Sequence, residues 1–382
     1  MKICFVAPRI HTNQFTLINE LSSQGHDVLF IAETKNPSFL NQEANCELRI
    51  LRTHSLNIIA QFFMNVIAYI KGIPQRGNFY SSFNSKELRN TLLEFKPDVV
   101  VVRDVALPIS VQTFWACRKL KLSSILYTQH PLELNEPLIT HLGQLVGLVP
   151  RHRITPTRSS SKIYNPKTNA FYVPLSVPSN FNIENKQYQE DGILRFIFVG
   201  KFSLERKNHH LALQVVHELS KKYPVHLNMI GSFTDNECLI YDSLVSYIKD
   251  NNLEDIITLK KNVSLSEMPD EYKKADVFIF PSVAEPFSIS TLEAMAHGVV
   301  PVITTENGSR SCISDSENGF IVNEISVEAF LAKVLLLANI GCLKKMSHEA
   351  YSTFHANFST KRQYEYFLSA LNADKKSRTK LS

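Results

Sequence analysis

The stretch DVFIFPSVAEPFSISTLEAMAHGVVPVITT, residues 276–305, decides the fold. It opens with an apolar run of strand length, continues into a helix-like segment that ends at Gly298, and closes with a second apolar run. Parallel neighbouring strands need a crossover connection, usually a helix, so this pattern predicts a parallel pair. Continuous apolar strands of this kind are typical of an α/β fold whose sheet is covered on both faces.

The same alternation of apolar runs and helix-like segments continues through the chain in two series. The first series begins with ICFVAP (3–8) and includes DVLFIA (27–32), DVVVV (98–102) and SSILYT (123–128). The second series begins with LRFIFVG (194–200). Because a chain of 382 residues is long for one hydrophobic core, we predict two α/β domains in tandem.

Local composition indicates where these domains begin and end. The stretch 176–192 is rich in Pro, Asn and charged residues and shows little periodicity, so it is predicted to be a linker. The linker would join an N-terminal domain, 1–175, to a C-terminal domain, 193–356. A helix is expected over 357–372 and should return to the first domain, whereas the polar tail 373–382 is predicted to be disordered.

The overall composition is that of an ordinary globular protein, with 44% hydrophobic and 20% charged residues. The net charge of +5 is too small to indicate nucleic acid binding, although it suits an anionic substrate or an anionic membrane surface. Six scattered cysteines without a CxxC pair predict free thiols in a reducing compartment. The N-terminal MKICFVAP lacks the apolar core of a signal peptide, so we expect a cytoplasmic protein.

The most apolar long segment is LNIIAQFFMNVIAYI, residues 56–70. Three polar residues interrupt it, and it is too short and too polar to span a bilayer. One interpretation is an internal helix of the first domain. The other is a helix at an anionic membrane surface, because Lys71 and Arg76 follow it, and this would give peripheral contact with the inner face of the membrane.

Three loops of the second domain carry polar residues just after predicted strands, where open parallel sheets bind their ligands. VGKFSLERKN (199–208) combines a glycine with cations that suit a phosphate, although a solvated basic loop fits it equally well alone. EPFSISTLE (285–293) places one carboxylate at a turn and a second two helical turns further on. TTENGSRSC (304–312) adds a glycine with backbone and hydroxyl donors that could hold a phosphate. Together the three loops predict a sugar-nucleotide pocket.

A resemblance to a known family supports this prediction. EPFSISTLEAMAHGVVPVIT (285–304) closely resembles the E-x7-E element of the retaining glycosyltransferases of family 4, the group 1 glycosyltransferases. FVGKF…ERKN, YKKADVFIFPS, SENGFIV and the N-terminal MKICFVAP…ELSSQGHDVLFIA agree with that family, and the match is strongest over 194–322. The resemblance implies the GT-B fold, in which two Rossmann-like, doubly wound domains face each other across a cleft.

The resemblance also implies roles for individual residues. Lys201 and Lys207 would contact the diphosphate of the donor. Glu285 would lie near the donor sugar, and Glu293 would bond the ribose of the nucleotide. The expected catalytic residues are Glu285, His130 and Lys207. The expected donor-binding residues are Gly200, Lys201, Arg206, Phe287, Ser288, Ile289, Glu293 and Gly308, and the acceptor-side candidates are Arg9, His11 and Asn13.

The sequence departs from the family pattern in several places. The first loop, PRIHTNQF (8–15), lacks the glycines that relatives often carry, and Ser288 stands where they have a glycine. The spacing from the first glycine of the domain to Lys207 is one residue longer than expected, so Arg206 is an alternative second cation for the diphosphate. Ser311 stands in place of a common acid. Taken singly, Glu293 also fits a surface position and His130 a structural one, while His209 and His210 are predicted to face solvent.

The function that we expect is transfer of a sugar from a nucleotide-sugar donor to a hydroxyl of a glycan or lipid-linked acceptor, with retention at the anomeric carbon. No Asp-x-Asp is present to hold a metal, which argues against a GT-A enzyme, and no cofactor is expected. The absence of G-x-G-x-x-G argues against an NAD oxidoreductase. A sugar-nucleotide epimerase of the same fold, a phosphorylase-like enzyme and a non-catalytic nucleotide-sugar-binding protein remain as alternatives.

Overall fold

The computed structural model describes residues 1–10, 12–34, 44–55, 81–105, 107–133, 143–144, 149–158, 169–188, 191–233 and 238–379, without the side chains of 12, 13 and 375–379. The predicted segment 56–70 and the acceptor-side candidate His11 therefore lie outside the described residues.

The described strands are short and mostly buried. They are β1 (Lys2–Val6), β2 (Asp27–Ala32), β3 (Glu47–Ile50), β4 (Thr53–Ser55), β5 (Ser81–Phe83), β6 (Val99–Arg103), β7 (Ser124–Tyr127), β8 (Arg153–Thr155), β9 (Ala170–Tyr172), β10 (Leu194–Val199), β11 (Val225–Gly231), β12 (Ile257–Lys261), β13 (Val277–Phe280), β14 (Val300–Thr304) and β15 (Phe320–Val322).

The described helices connect or follow these strands. They are α1 (Thr12–Ser23), α2 (Ser85–Phe95), α3 (Pro108–Lys119), α4 (His209–Ser220), α5 (Leu239–Asp250), α6 (Met268–Lys273), α7 (Ile289–Ala296), α8 (Val327–Val334), α9 (Ile340–Asn357) and α10 (Thr360–Thr379), with 3-10 turns at Ile183–Asn185, Glu205–Lys207, Gly308–Cys312 and Leu335–Ala338. None of these helices is both long and apolar enough to cross a membrane.

The chain divides into two compact units. Unit 1 comprises Met1–Pro156, Tyr164–Leu175 and Gln363–Ser382, and unit 2 comprises Thr157–Ile163 and Ser176–Arg362. Each unit contains one parallel sheet. The strand order is β3-β2-β1-β6-β7-β8-β9 in unit 1 and β12-β11-β10-β13-β14-β15 in unit 2. Chain order reverses beside β1 in the first sheet and beside β10 in the second, which is the doubly wound arrangement.

Apolar clusters cover both faces of the unit 1 sheet. One cluster joins α1 and α10 to the sheet, with Ile18, Phe367 and Leu371 packed beside Phe5. The other contains residues of α2 and α3, such as Leu92 and Phe114. In unit 2, all four residues of β13 are fully buried. The continuous apolar runs of the sequence therefore correspond to strands with helices on both sides, as predicted.

The stretch predicted to be a linker packs into unit 2 instead. Ile183 is buried, and the Nζ of Lys186 donates to the carbonyl oxygens of Ala275 at 2.7 Å and of His297 at 3.2 Å. Burial lowers the pKa of Lys186 to about 8. The prediction was wrong because composition reports local polarity, whereas this segment is fixed by partners about a hundred residues further along the chain.

The end of the chain also differs from its prediction. Helix α10 does not end at 372 but continues to Thr379, within the tail predicted to be disordered. Asp374 is buried, and its Oδ1 pairs with the Nδ1 of His152 at 2.7 Å. A buried carboxylate with a close partner fixes this part of the helix in unit 1. Residues 380–382 lie outside the described residues.

Candidate functional site

The three polar loops predicted to form a site lie at one edge of the unit 2 sheet. They follow β10, β13 and β14, which are consecutive neighbours in a sheet of parallel strands. Their carboxyl ends therefore meet at the same edge. The reversal of chain order between β10 and β13 marks the point where open α/β sheets bind ligands.

An ion-pair cluster joins two of these loops, and we call Arg206, Lys207 and Glu285 the clasp. The Nζ of Lys207 lies 2.5 Å from the Oε2 of Glu285, and the Nη1 of Arg206 donates to the same oxygen. The side chain of Glu285 is 6% exposed, that of Lys207 12% and that of Arg206 33%. The carboxylate therefore fixes two cations at this edge, and the more buried of the two is Lys207.

Several groups around Lys207 shift its pKa. Burial lowers the pKa of Lys207, the carboxylate of Glu285 opposes that effect, and Arg206 and Lys201 reinforce it. The Nζ also lies 4.9 Å from the centre of the Phe280 ring, which attracts a cation. Lys201 is exposed near the clasp. Three cations beside one carboxylate leave an excess of positive charge that suits a diphosphate.

The loops after β13 and β14 bind each other through their backbones. The N–H of Gly308 donates to the carbonyl of Glu285 at 2.8 Å, and the N–H of Glu285 donates to the carbonyl of Glu306 at 3.1 Å. A Cβ at Gly308 would lie 1.9 Å from the carbonyl oxygen of Pro286. Only glycine permits this approach, so Gly308 positions the backbone that carries Glu285.

Helix α7 begins at this edge with Ser288 as its N-cap residue. The hydroxyls of Ser288 and Ser290 lie 2.8 Å apart, and that of Ser290 donates to the carbonyl of Val199 at 3.3 Å. The helix N-terminus thus packs on the end of β10. The positive end of the helix dipole lies at this edge, and Ser288 makes no side-chain capping bond to the N–H groups of the first turn among the described residues. Phe287 is buried and Ile289 partly buried beside it.

Glu293, the second glutamate of the E-x7-E element, is partly buried on the same helix. The hydroxyl of Tyr272 donates to its Oε2 at 2.7 Å. Burial raises the pKa of Glu293, and the bond from Tyr272 opposes that rise. Tyr272 is 1% exposed and its ring stacks on that of His297 at 5.6 Å. One carboxylate oxygen is thus held by Tyr272, and among the residues that the structure describes no bond to the other oxygen is found.

The hydroxyls of the loop after β14 form hydrogen bonds with neighbouring protein groups. The Oγ of Ser309 donates to Oδ1 of Asn307 at 2.7 Å and lies 3.0 Å from the hydroxyl of Thr291, and the Oγ of Ser311 donates to the carbonyl of Gly308. Nη1 of Arg310 donates to the carbonyl of Thr305 at 2.6 Å. These donors are already used, so the loop is built to hold its shape rather than to offer hydroxyls to a phosphate.

The prediction that His209 and His210 face solvent was wrong for the first of them. His209 is buried, its ring 4.7 Å from that of Phe198 and 5.3 Å from that of Phe202. Burial lowers its pKa to about 4, so it is neutral near pH 7. It is the first residue of helix α4, whose apolar side packs on the sheet. The residues next to it in the sequence are polar, so the sequence alone did not indicate that it is buried. His210 is partly exposed.

The unit 1 candidates lie at the carboxyl ends of the other sheet. Arg9 is exposed after β1, and Asn13 lies in the first turn of α1. His130 follows β7, where its N–H donates to the hydroxyl of Thr128 and its carbonyl accepts from the buried Arg153 at 2.8 Å. The backbone of His130 is therefore held firmly in unit 1.

Two contributors to the site were missed by sequence reasoning. Tyr272 and Phe280 both lie in YKKADVFIFPS, the stretch that carried part of the resemblance, yet neither was assigned a role. An apolar or aromatic residue in such a run predicts core, and both side chains are indeed buried. A buried tyrosine nevertheless needs a partner for its hydroxyl, and that requirement was the available signal.

Comparison with known proteins agrees with this geometry. Residues 194–339, which include the whole clasp, match the family described as Glycosyl transferases group 1. This part of the chain is therefore similar to a group 1 glycosyltransferase domain. The domain begins at β10 and contains both glutamates of the E-x7-E element.

Several known proteins are similar to parts of the chain. An uncharacterized glycosyltransferase of Haemophilus influenzae is 24% identical over 327 residues, 84% of each chain. Mannosylfructose-phosphate synthase of Agrobacterium fabrum is 30% identical over 144 residues, 35% of this chain and 32% of that protein. Poly(glycerol-phosphate) alpha-glucosyltransferase of Bacillus subtilis is 26% identical over 211 residues, 53% of this chain and 29% of that protein.

Solved structures resemble the chain over nearly its full length. A glycosyltransferase from Rickettsia africae superposes with a TM-score of 0.77 at 15% identity and covers 98% of both chains. Anabaena HepE, solved in complex with UDP and glucose, has a TM-score of 0.68 at 14% identity and covers 98% of this chain and 100% of that one. The prediction of a GT-B fold with two Rossmann-like domains is confirmed.

Proposed function

We propose that this protein is a retaining glycosyltransferase of family 4 that moves a hexose from a nucleotide sugar to an acceptor hydroxyl. The observation that carries the proposal is the clasp, in which Lys207 and Arg206 converge on one oxygen of Glu285 beside the N-terminus of α7. Cations, a helix N-terminus and a half-satisfied Glu293 on one sheet edge suit a nucleoside diphosphate and its ribose.

In the proposed reaction the bond between the anomeric carbon and the diphosphate oxygen breaks as the acceptor oxygen bonds to the same face of that carbon. The acceptor proton passes to the departing phosphate oxygen. Lys201, Lys207 and the first turn of α7 would stabilise the charge that develops on the diphosphate. The sequence offers no Asp-x-Asp, so we propose that these cations act without a metal and that no cofactor takes part. His130, in unit 1, remains a candidate catalytic residue.

The relatives support a place in glycan synthesis. One acts on poly(glycerol-phosphate) and another is a capsular polysaccharide glycosyltransferase of Staphylococcus aureus, so we propose a glycan or lipid-linked acceptor in cell-surface polysaccharide synthesis. All six cysteines are free thiols, which supports a cytoplasmic location.

We also propose peripheral contact with an anionic membrane surface through 56–70. Flotation with anionic liposomes tests this contact, and failure to float in low salt would remove that part of the proposal.

A thermal-shift panel of UDP, GDP, ADP and their sugars tests the function. A ligand at about 100 times its Kd stabilises a protein by roughly 2.7 kcal/mol, so the true donor should raise the melting temperature clearly. Absence of any shift with all nucleotides would contradict a donor site. Incubation of the donor without acceptor distinguishes a transferase from the alternative, a sugar-nucleotide epimerase. An epimerase would convert the sugar, whereas a transferase would leave its configuration unchanged.

A further inference from the structure

Two polar side chains lie together at the carboxyl edge of the unit 1 sheet, and the proposed function uses neither. Arg103 ends β6 and Tyr127 ends β7, and the two residues are direct partners in the register of these parallel strands. Val101 and Ile125, two residues earlier on the same strands, belong to one apolar cluster. Because side chains alternate along a strand, Arg103 and Tyr127 point to that same face of the sheet.

Each of the two side chains buries a donor that has no partner among the described residues. The Nη1 of Arg103 and the hydroxyl of Tyr127 are both shielded from solvent, and neither forms a hydrogen bond within the part of the chain that the structure describes. Tyr127 is 9% exposed, whereas Arg103 is partly exposed and gives the pair a path to the surface. The guanidinium carbon lies 5.9 Å from the centre of the Tyr127 ring. Unpaired buried donors are rare in native proteins, so two adjacent ones indicate a missing acceptor.

The backbone holds this pair in a fixed arrangement. The N–H of Asp104 donates to the carbonyl of Tyr127 at 2.8 Å, and the hydroxyl of Ser110 donates to the carbonyl of Arg103 at 2.6 Å. Asp104 adopts a left-handed conformation with φ of 56°, which is costly for a residue other than glycine. β6 also adjoins β1, where the chain order of the sheet reverses and α/β sheets bind ligands.

We propose that Arg103 and Tyr127 form a subsite for an oxyanion, either a phosphate or a carboxylate, carried by the acceptor. Both groups donate, and the guanidinium is always charged, so a ligand with two acceptor oxygens and a negative charge satisfies the pair. A neutral hydroxyl would leave the guanidinium charge uncompensated. Burial raises the pKa of Tyr127, which keeps its phenol a donor. Only the description of the ligand as the acceptor rests on the proposed function.

The variants Arg103→Gln and Tyr127→Phe test the subsite, with Arg89→Gln on α2 and Tyr223→Phe in unit 2 as exposed controls. Melting temperatures are recorded with inorganic phosphate and with acetate at constant ionic strength, and separately with UDP. We expect at least one of the two anions to stabilise the wild-type protein and both controls. Tyr127→Phe should weaken that binding by about tenfold and Arg103→Gln should abolish it.

The unliganded variants give a second readout. Tyr127→Phe should melt at the same temperature as the wild type or higher, because it removes a buried hydroxyl that has no partner. A lower melting temperature of Tyr127→Phe would show that the hydroxyl stabilises the fold and would overturn the proposal. Anion-induced shifts in melting temperature that are absent, or equal in the wild type and all variants, would also overturn it. Stabilisation by phosphate alone indicates a phosphorylated acceptor, and by acetate alone a carboxylated one. UDP shifts should persist in both variants, so failure of the donor site would be seen separately.

Discussion

The Nζ of Lys207 lies 2.5 Å from the Oε2 of Glu285, so a cation expected to bind the diphosphate and a carboxylate expected to meet the sugar bind each other. The two side chains belong to different loops of unit 2, and Arg206 reaches the same oxygen. A ligand phosphate would therefore have to share or replace the carboxylate as partner of Lys207. Glu285 consequently controls both the position and the availability of the cations, and its substitution should affect more than sugar contacts.

The variant Glu285→Gln should cut turnover of the intact donor by about tenfold or more without weakening the binding of the free nucleoside diphosphate. The amide keeps the shape of the side chain but removes its charge, so both cations become more available to a diphosphate. Steady-state kinetics and calorimetry measure the two effects, with the exposed Glu317→Gln as control. Clearly weaker nucleotide binding in a folded Glu285→Gln protein would contradict this role.

The variant Lys207→Met should weaken nucleoside diphosphate binding by about tenfold or more, because a hydrogen bond to a charged group is worth about 1.5–3 kcal/mol. Arg206→Met should have the smaller effect, since its side chain is more exposed and more strongly screened by solvent. Calorimetric titration with UDP measures both. If Arg206→Met proves the more damaging, then Arg206 is the principal phosphate cation.

Nucleotide binding should depend on the ionisation of Glu293, whose pKa is raised by burial. A neutral carboxyl is a poorer acceptor for ribose hydroxyls, so binding of UDP should decline as the pH falls through this raised pKa. Tyr272→Phe removes the bond that lowers the pKa of Glu293 and should move the decline to higher pH. Titrations with UDP over a pH series measure the midpoint, and identical midpoints in both proteins would refute the coupling.

The same burial predicts an opposite effect on stability. A glutamate with a raised folded pKa contributes stability below its unfolded pKa of about 4.5, and that contribution is lost as the pH rises through the folded value. Glu293→Gln stays neutral, so at pH 7 it should melt at the wild-type temperature or above while binding UDP about tenfold more weakly. Thermal scans at pH 7 and at acidic pH test this, and a loss of stability at pH 7 would be inconsistent with it.

The variant Gly308→Ala should disturb the site without removing any polar group. Its Cβ would lie 1.9 Å from the carbonyl oxygen of Pro286, so the loop that carries Glu285 must move. Overpacking of this kind typically costs about 1–3 kcal/mol, which should lower the melting temperature by several degrees. Gly341→Ala, in helix α9, is the control: its Cβ would lie 3.2 Å from Oδ1 of Asn339, a side chain that can shift, so its effect should be much smaller. Wild-type stability and UDP affinity in Gly308→Ala would count against the close approach.

Transfer activity should persist in EDTA, because the proposed mechanism assigns the diphosphate charge to Lys201, Lys207 and the first turn of α7. The measurement is product formation from the donor that the thermal-shift panel identifies, before and after treatment with the chelator. Activity that disappears in EDTA and returns with Mn²⁺ or Mg²⁺ would replace this assignment with a metal-assisted one.

The fold could be predicted from sequence because β13 and strands like it are buried on both faces, and such strands appear as unbroken apolar runs. The three loops of the candidate site could be predicted in the same way, because a parallel sheet brings the carboxyl ends of its strands together. The partner of Glu285 did not follow, because Lys207 lies 78 residues away and their contact depends on loop geometry. Local composition alone cannot reveal such a contact.

The two errors at the domain boundaries have the same origin. Lys186 and Asp374 are polar residues in polar stretches, which by themselves favour a linker and a disordered tail. Each is buried by a distant partner, Ala275 and His297 for the lysine and His152 for the aspartate. Tertiary structure therefore overrides composition at both positions, and a single sequence carries no signal for such pairs.

The helix that begins at Thr360 bears on how the chain folds during synthesis. Phe367 and Leu371 of this helix belong to the core around β1, a strand that is synthesised much earlier. Unit 1 therefore cannot complete that core until residues near Asp374 have left the ribosome, by which time all of unit 2 has emerged. Domains usually fold in the order of synthesis, N-terminal first. Here we expect unit 2 to complete its folding first. Until helix α10 is available, the sheet of unit 1 would keep an apolar face exposed, and a chaperone could cover that face.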